Sequence, residues 1–322
     1  MAIRAVIGFE HLPQNDVNWI DYATHDITRN ADLSLQNTIV NGWLVSNSQS
    51  AGAERVTIPL DKYLQAPVGK IWIGYRCRIV LNPKGGAGIV YFGGNYVLLD
   101  QALPDTGNTV YIEFSYDVST GVVERWINGV KIANAATSNG RSMTLGLEAK
   151  GSLNGRYDYR DFYICDDQGA AQGLPIGPLG SQAVIPISID SATGSDWTTT
   201  PGGTALATAI YEAGTVPTAK IATSNTTTKG PLAASLKATI PAGTVVAAIE
   251  VVAGLSSNGA GSVTCATKIK NGANEVAGLP MVGPSGAYGY NASAGVFHRN
   301  PAGGTWDAAS IDATDFILSP DA

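Results

Sequence analysis

The chain has 322 residues, only 14% of them Asp, Glu, Lys or Arg, with 38 glycines and a formal net charge of −6. That length suggests two domains, each able to bury a core. The acidic balance, without any Lys/Arg run, excludes the electrostatic footprint of a nucleic-acid binder, and abundant Gly, Val, Ile, Thr and Tyr point to an all-β protein.

Residues 1–8 have no basic stretch leading into a long apolar core, so no secretory signal is expected. Residues 3–9 read as a first strand, and 39–45 and 55–59 as further short apolar runs. Residues 70–80 alternate clearly. Ile71, Ile73, Tyr75, Cys77 and Ile79 share one face, while Trp72, Gly74, Arg76 and Arg78 share the other. The pattern predicts a strand with one buried and one partly solvated face. Residues 89–92 and 96–99 flank Gly93-Gly94-Asn95, a hairpin signal. Residues 111–118 alternate again and turn through Ser119-Thr120-Gly121 into 122–127. Asn128-Gly129 then separates 122–127 from 130–132, which predicts a type I′ turn because both central positions need positive φ. Residues 143–147 and 160–165 complete a two-sheet sandwich over residues 1–168.

A Gly/Pro-rich connector follows at 169–181, and then an Ala/Gly/Thr-rich β domain over 182–322. Residues 176–322 carry 15 of the 46 charged residues, less than their share of length, which marks this part as an assembly domain. Residues 205–211, 220–223, 245–253 and 262–269 read as strands, and 308–313 as a helical turn. The longest apolar stretch, 245–255, is broken by Glu250 and too short to cross a bilayer, so a soluble protein made in the cytoplasm is expected.

Chemistry-bearing patterns are sparse. Cys77, Cys165 and Cys265 lie far apart, outside any C-x-x-C pair, and read as buried free thiols, with an intersubunit disulfide as the alternative. His11, His25 and His298 have no partner at metal-ligand spacing, and neither G-x-S-x-G nor a P-loop occurs. Glu113 and Asp117 share a strand face but stand about 13 Å apart, too far for a glycosidase pair, and read as a solvated face. Asp158, Asp161, Asp166 and Asp167 form the densest acidic stretch. They would either contribute to a Ca²⁺ site, though no EF-hand-type loop is present, or pair with the nearby Arg156 and Arg160. Of the six tryptophans, Trp72 lies on the polar face of its strand and is the candidate for stacking on a sugar ring. No cofactor is expected.

The segments 110–114, 117–123 and 126–130 resemble the concanavalin A/laminin-G-like jelly roll, as does the terminal strand 161–166. The whole chain resembles a group of tailed-bacteriophage virion structural proteins. The residues that carry this are Asp167-Gln168-Gly169, Gly177-Pro178-Leu179-Gly180, Asp196-Trp197-Thr198 and the closing segment 300–311, where Asn300, Gly303 and Asp307 depart from the family's Asp, Thr and Thr. The resemblance implies an all-β protein with an N-terminal jelly-roll sandwich and a smaller second β domain. It also implies a non-enzymatic part of a virion: neck, collar, tail or capsid decoration. Such a part would form a homo-oligomer, a trimer or a ring, in contact with other virion proteins, with no nucleic acid and no membrane as partner. The alternative role is an adhesin that binds host surface glycans through the jelly roll. A glycan-cleaving depolymerase is the third possibility, disfavoured by the missing carboxylate pair.

Overall fold

The computed structural model describes residues 2–9, 28–29, 38–48, 55–59, 69–81, 87–92, 95–98, 108–137, 144–150, 155–168, 179–180, 182–200, 202, 205–210, 220–223, 230–241, 243–255, 257, 261–283, 285 and 289–320. The chain divides into two compact units, Met1–Val184 and Ile185–Ala322. The division falls a few residues beyond the connector expected at 169–181, because Leu179, Gly180 and Val184 are hydrogen-bonded to the first unit's large sheet.

The first unit is a jelly-roll sandwich. Its strands are β1 (Ala2–Ile7), β2 (Thr28–Arg29), β3 (Thr38–Val40), β4 (Trp43–Ser48), β5 (Arg55–Pro59), β6 (Lys70–Leu81), β7 (Ala87–Phe92), β8 (Asn95–Leu98), β9 (Thr109–Asp117), β10 (Val122–Ile127), β11 (Val130–Thr137), β12 (Thr144–Lys150) and β13 (Gly155–Asp166). One sheet runs β11-β10-β9-β6-β13-β4-β3, with β1 also on β13, and the other runs β2-β5-β12-β7-β8. Every pairing is antiparallel. The alternation read in residues 70–80 places Ile71, Ile73, Tyr75 and Cys77 in a core shared with Ile112, Phe114, Tyr159 and Phe162 of the same sheet, and with Val56 and Ile58 of the other. Tyr75 stacks on Phe162 with ring centroids 5.0 Å apart and meets Tyr159 edge-on, so large aromatic rings fill the space between the sheets.

Turn chemistry holds these strands in register. Asn128 (φ 48) and Gly129 (φ 80) join β10 to β11 with both residues left-handed, as the Asn-Gly pair predicts. Asn41 (φ 49) and Gly42 (φ 73) do the same between β3 and β4. This second Asn-Gly turn divides the apolar run 39–45 into the two strands of a hairpin. Asp117 closes the β9–β10 turn by accepting from the Ser119 and Thr120 amides at 3.0 and 2.9 Å.

The second unit contains β14 (Ser188–Thr193), β15 (Trp197–Thr200), α1 (Leu206–Ile210), β16 (Lys220–Thr223), β17 (Leu232–Lys237), β18 (Ile249–Leu255), β19 (Val263–Asn271), β20 (Asn274–Ala277), β21 (Met281–Gly283), β22 (Gly289–Phe297), α2 (Ala308–Asp312) and β23 (Asp315–Pro320). A sheet ordered β14-β17-β23-β19-β20, with β21 also on β19, is joined by the two-stranded pairs β15-β16 and β18-β22. Residues 205–211, expected as a strand, contain a short helix. The Leu206, Ala207 and Ala209 stretch follows intrinsic helix propensity there rather than the neighbouring β pattern. The expected helical turn at 308–313 is α2, capped by Asp307, whose carboxylate accepts from the Ser310 amide at 2.7 Å.

Two of the segments that carry the phage resemblance have structural roles here. Asp196 accepts from the Gly230 amide at 2.6 Å, and the Trp197 indole donates to the Gly230 carbonyl at 3.1 Å, so the dipeptide clamps one backbone position from both sides. Asn300 closes a turn through the Gly304 amide at 3.0 Å, and the buried Trp306 indole donates to the Phe297 carbonyl at 2.8 Å. Among the described residues no helix is long and apolar enough to cross a membrane.

Candidate functional site

The face of the large sheet turned away from the core carries the unusual chemistry. On β6 the alternation puts Trp72, Gly74, Arg76 and Arg78 on this face. On β13 the cross-strand register sets Asp158 opposite Arg78 and Arg160 opposite Arg76. Like charges directly opposite one another destabilise a strand pair. The chain answers with a bulge, since the register slips between Arg160 and Tyr163 and Asp161 sits at φ 57, left-handed for a non-glycine residue. That strained residue brings its carboxylate to 2.8 Å from Arg76 Nε and 3.2 Å from Arg160 Nε.

The second carboxylate works in the same way. Asp158, fully buried, accepts from Arg78 at 3.1 and 2.5 Å and from Arg156 at 2.8 and 3.2 Å, through Nε and one terminal nitrogen of each. Between the two pairs lies the indole of Trp43, with the Arg78 guanidinium carbon 4.6 Å and the Arg160 guanidinium carbon 4.4 Å from the ring centroid. Burial pushes the Asp161 carboxyl above the ordinary carboxylate range, against the Val184 amide and the two arginines, which pull it down. Two guanidiniums, those of Arg78 and Arg160, therefore lie against one aromatic ring, each paired with a buried acid that a second arginine shares, and each of the four arginine side chains stays roughly one-third exposed, between 28% and 33%.

A strap formed by residues 179–180 and 182–184 borders the site. Gly180 donates its amide to Glu113 at 3.0 Å and Val184 its amide to Asp161 at 3.1 Å, while Arg76 donates to the Gln182 carbonyl at 3.1 Å. The Tyr163 hydroxyl also donates to Glu113. Tyr163 can lie flat across β6 because residue 74 is glycine, where a Cβ would run into its ring. Glu113 is 1% exposed and burial pushes its carboxyl up. Further along the same face, Lys70 and Lys131 reach Glu124 at 2.7 and 2.5 Å, and their hydrogen bonds hold its carboxyl at about 2.

Several sequence expectations are corrected by this arrangement. Trp72 is on the expected face but 3% exposed, packed beside Ser115 and Cys165 with the Lys70 ammonium 5.6 Å from its ring, so it offers no face to a sugar. Glu113 is buried rather than solvated, because the strap covers it. The acidic stretch 158–167 is divided among partners. Asp158 and Asp161 take the arginines, Asp166 takes Arg4 at 2.9 Å, and Asp167 takes the Gly69 and Lys70 amides at 3.1 and 3.0 Å. The expected pairing of Arg156 and Arg160 with these acids is what the structure contains. Among the described residues no group of three His, Cys, Asp or Glu side chains is placed to hold a metal ion. Cys77, Cys165 and Cys265 are buried thiols outside any disulfide, and burial pushes the Cys77 and Cys165 thiols up. Sequence reasoning does not single out Trp43, Arg76 or Arg78 as a site. Their signal is Arg-x-Arg at 76–78 facing Arg-x-Asp-x-Arg at 156–160, two alternating patterns that become one site only once β6 and β13 are known to pair.

No family model and no curated protein matches the chain. Among solved structures, a sialidase is 9% identical with a TM-score of 0.35, over 46% of this chain and 17% of its own. The carbohydrate recognition domain of Emp47p is 11% identical with a TM-score of 0.34, over 50% of this chain and 96% of its own. The CBM22-1 xylan-binding domain of Paenibacillus barcinonensis Xyn10C is 14% identical with a TM-score of 0.32, over 52% and 96%. This chain thus spans a small part of the sialidase, and at these scores none of the likenesses transfers a function.

Proposed function

We propose that the chain is a non-catalytic recognition protein of a tailed-phage particle and that it binds glycan through the outer face of its first unit. The observation that carries the binding role is the set of partly exposed guanidiniums held around Trp43 by Asp158 and Asp161. Hydrogen-bond donors fixed in advance lose little freedom when they meet a ligand rich in acceptors. The same two acids serve as anchors, each shared by two arginines, which leaves neither available as a nucleophile or as an acid/base. The phage setting is supported by the sequence resemblance carried by residues 167–169, 177–180, 196–198 and 300–311. Self-assembly through the second unit is part of the proposal, supported by its low charge and by Val245, Leu279, Val282 and Val276, which are 90%, 60%, 53% and 38% exposed.

The test is incubation of the purified full chain with host surface polysaccharide, reading bound protein and new reducing ends in the same sample. Binding without new reducing ends supports the proposal. New reducing ends that vanish when one Asp or Glu is replaced overturn it in favour of a depolymerase, and no binding at all removes the glycan role. Electron microscopy of antibody-labelled particles checks the virion setting.

A further inference from the structure

We infer that the Arg76–Arg78–Arg156–Arg160 face takes an anionic group, a carboxylate or a sulfate carried on a glycan. This deepens the glycan-binding reading above and rests on it. Asp158 is shared by Arg78 and Arg156, so this set retains one positive charge. That surplus charge lies beside the Trp43 indole, with the Asp161-paired Arg160 over the same ring, in a chain whose net charge is −6.

Placing Arg160 directly opposite Arg76 and holding Asp161 at φ 57 both work against stability. Hydrophobic or mixed-charge pairs at the same positions would fold without either penalty. A strained bulge that re-aims a side chain beside partly exposed, immobilised donors is the mark of a site selected for binding.

Arg78 and Arg156 each engage Asp158 through Nε and one terminal nitrogen, and Asp158 engages neither side chain's other terminal nitrogen. A guanidinium edge matches the planar carboxylate or the oxygen face of a sulfate, which a lysine ammonium does not. A single surplus charge among partly exposed guanidiniums suits one anionic group. A nucleic-acid backbone needs a track of many cationic contacts instead.

The experiment is binding of the full chain to a printed panel of carboxylated, sulfated and neutral glycans, repeated with Arg156→Lys and Arg78→Gln. Arg156→Lys keeps the charge that Asp158 requires, and thermal melting of each variant confirms that the unit is folded. The expected result is binding of acidic glycans with the neutral counterparts weaker by on the order of tenfold or more, weakening in salt, and a similar loss in Arg156→Lys at unchanged melting. Preference within the acidic set separates carboxylate from sulfate. Equal binding of neutral glycans, indifferent to both substitutions, overturns this inference and leaves the glycan reading standing. Failure to bind any glycan overturns both. Binding to duplex DNA or to anionic lipid vesicles in place of glycan also overturns both.

Discussion

The two units keep their polar groups in opposite ways. In the first, Glu113, Arg125, Asp158, Asp161 and Asp166 are all buried, at 8% exposure or less. In the second, the buried polar residues among those described are Thr267 and Thr314, neutral hydroxyls that donate to the Leu279 and Ser310 carbonyls. A buried hydroxyl with one backbone partner is inexpensive, whereas a buried carboxylate must be paired or it costs several kcal/mol. The first unit thus accepts an unfavourable arrangement that the second avoids, and the arrangement is concentrated where donors face solvent. Packing alone accounts for the second unit's core. It does not account for the charges in the first.

The sharpest way to break this comparison is to remove one buried acid. Asp158→Ala leaves Arg78 and Arg156 facing each other with no counter-ion. A loss of roughly 2–3 kcal/mol from the first unit is expected, the range for a broken buried pair lowered because the guanidiniums are partly hydrated. The matched change in the second unit is Glu275→Ala, which removes an exposed partner of Lys268 and Lys270. Its transition is expected to stay where it is. Calorimetry on the full chain follows both units together, and equal shifts from the two substitutions would show that the contrast between the units is false.

Gly74→Val tests the next layer. Its side chain would collide with the Tyr163 ring, which is held from behind by Glu113 and the strap. Overpacking of this kind is expected to cost about 2–3 kcal/mol and to speed hydrogen exchange at the Gly180 amide as the strap lifts. Unchanged exchange at Gly180 with a destabilised sheet would separate the strap from the aromatic layer beneath it.

Much of the first unit was legible because its rules are local. Alternation at 70–80 and 111–118, and the Asn128-Gly129 turn, need only neighbours in sequence, and the structure has strands and a left-handed pair at those places. The Asn41-Gly42 turn carried the same signal but lay inside an apolar run, so periodicity hid it. The site was less legible because it depends on register. Trp72 and Arg76 share a face, but which of them reaches solvent depends on what β9, β13 and the strap place beside them. In the second unit Ala and Thr are compatible with either helix or strand, and the residues around Leu206 form a helix where Thr, Gly and Val interleaved with Ala favour a strand.

Gly129→Val addresses the hairpin at the edge of the large sheet. The position is open, with nothing within 4 Å of where a Cβ would stand, so any cost comes from the left-handed backbone (φ 80) alone. About 1–2 kcal/mol is expected. A change within a few tenths of a kcal/mol would mean that the turn relaxes to another type, and Gly129→Asn, which tolerates that conformation, should recover most of the loss.

The smallest expected effect is a slope. Burial raises the Glu113 and Asp161 carboxyls above their unfolded values, so in the folded state both hold a proton to higher pH than in the unfolded chain. Between those values the folded state binds more protons, and stability falls as pH rises. The contribution is complete below the ordinary carboxylate range and is lost as pH climbs through the raised values, opposite in sign to an acid held down by an ion pair. The second unit sets the baseline, since its Asp307 and Asp312 are lowered by hydrogen bonds from Ser310 and Ala238 and lose their contribution as pH falls. Glu113→Gln removes one titrating group while its amide oxygen still accepts from Tyr163 and Gly180, and the Glu113 Oε2 it replaces has no partner to lose. The variant's first-unit stability should therefore decline less steeply than the wild type's from the carboxylate range upward, with no change below it. Parallel denaturation curves at a series of pH values decide the matter. Identical slopes in the two proteins would mean that Glu113 stays ionised beneath the strap, and that the polar seam there is held by charge rather than by a shared proton.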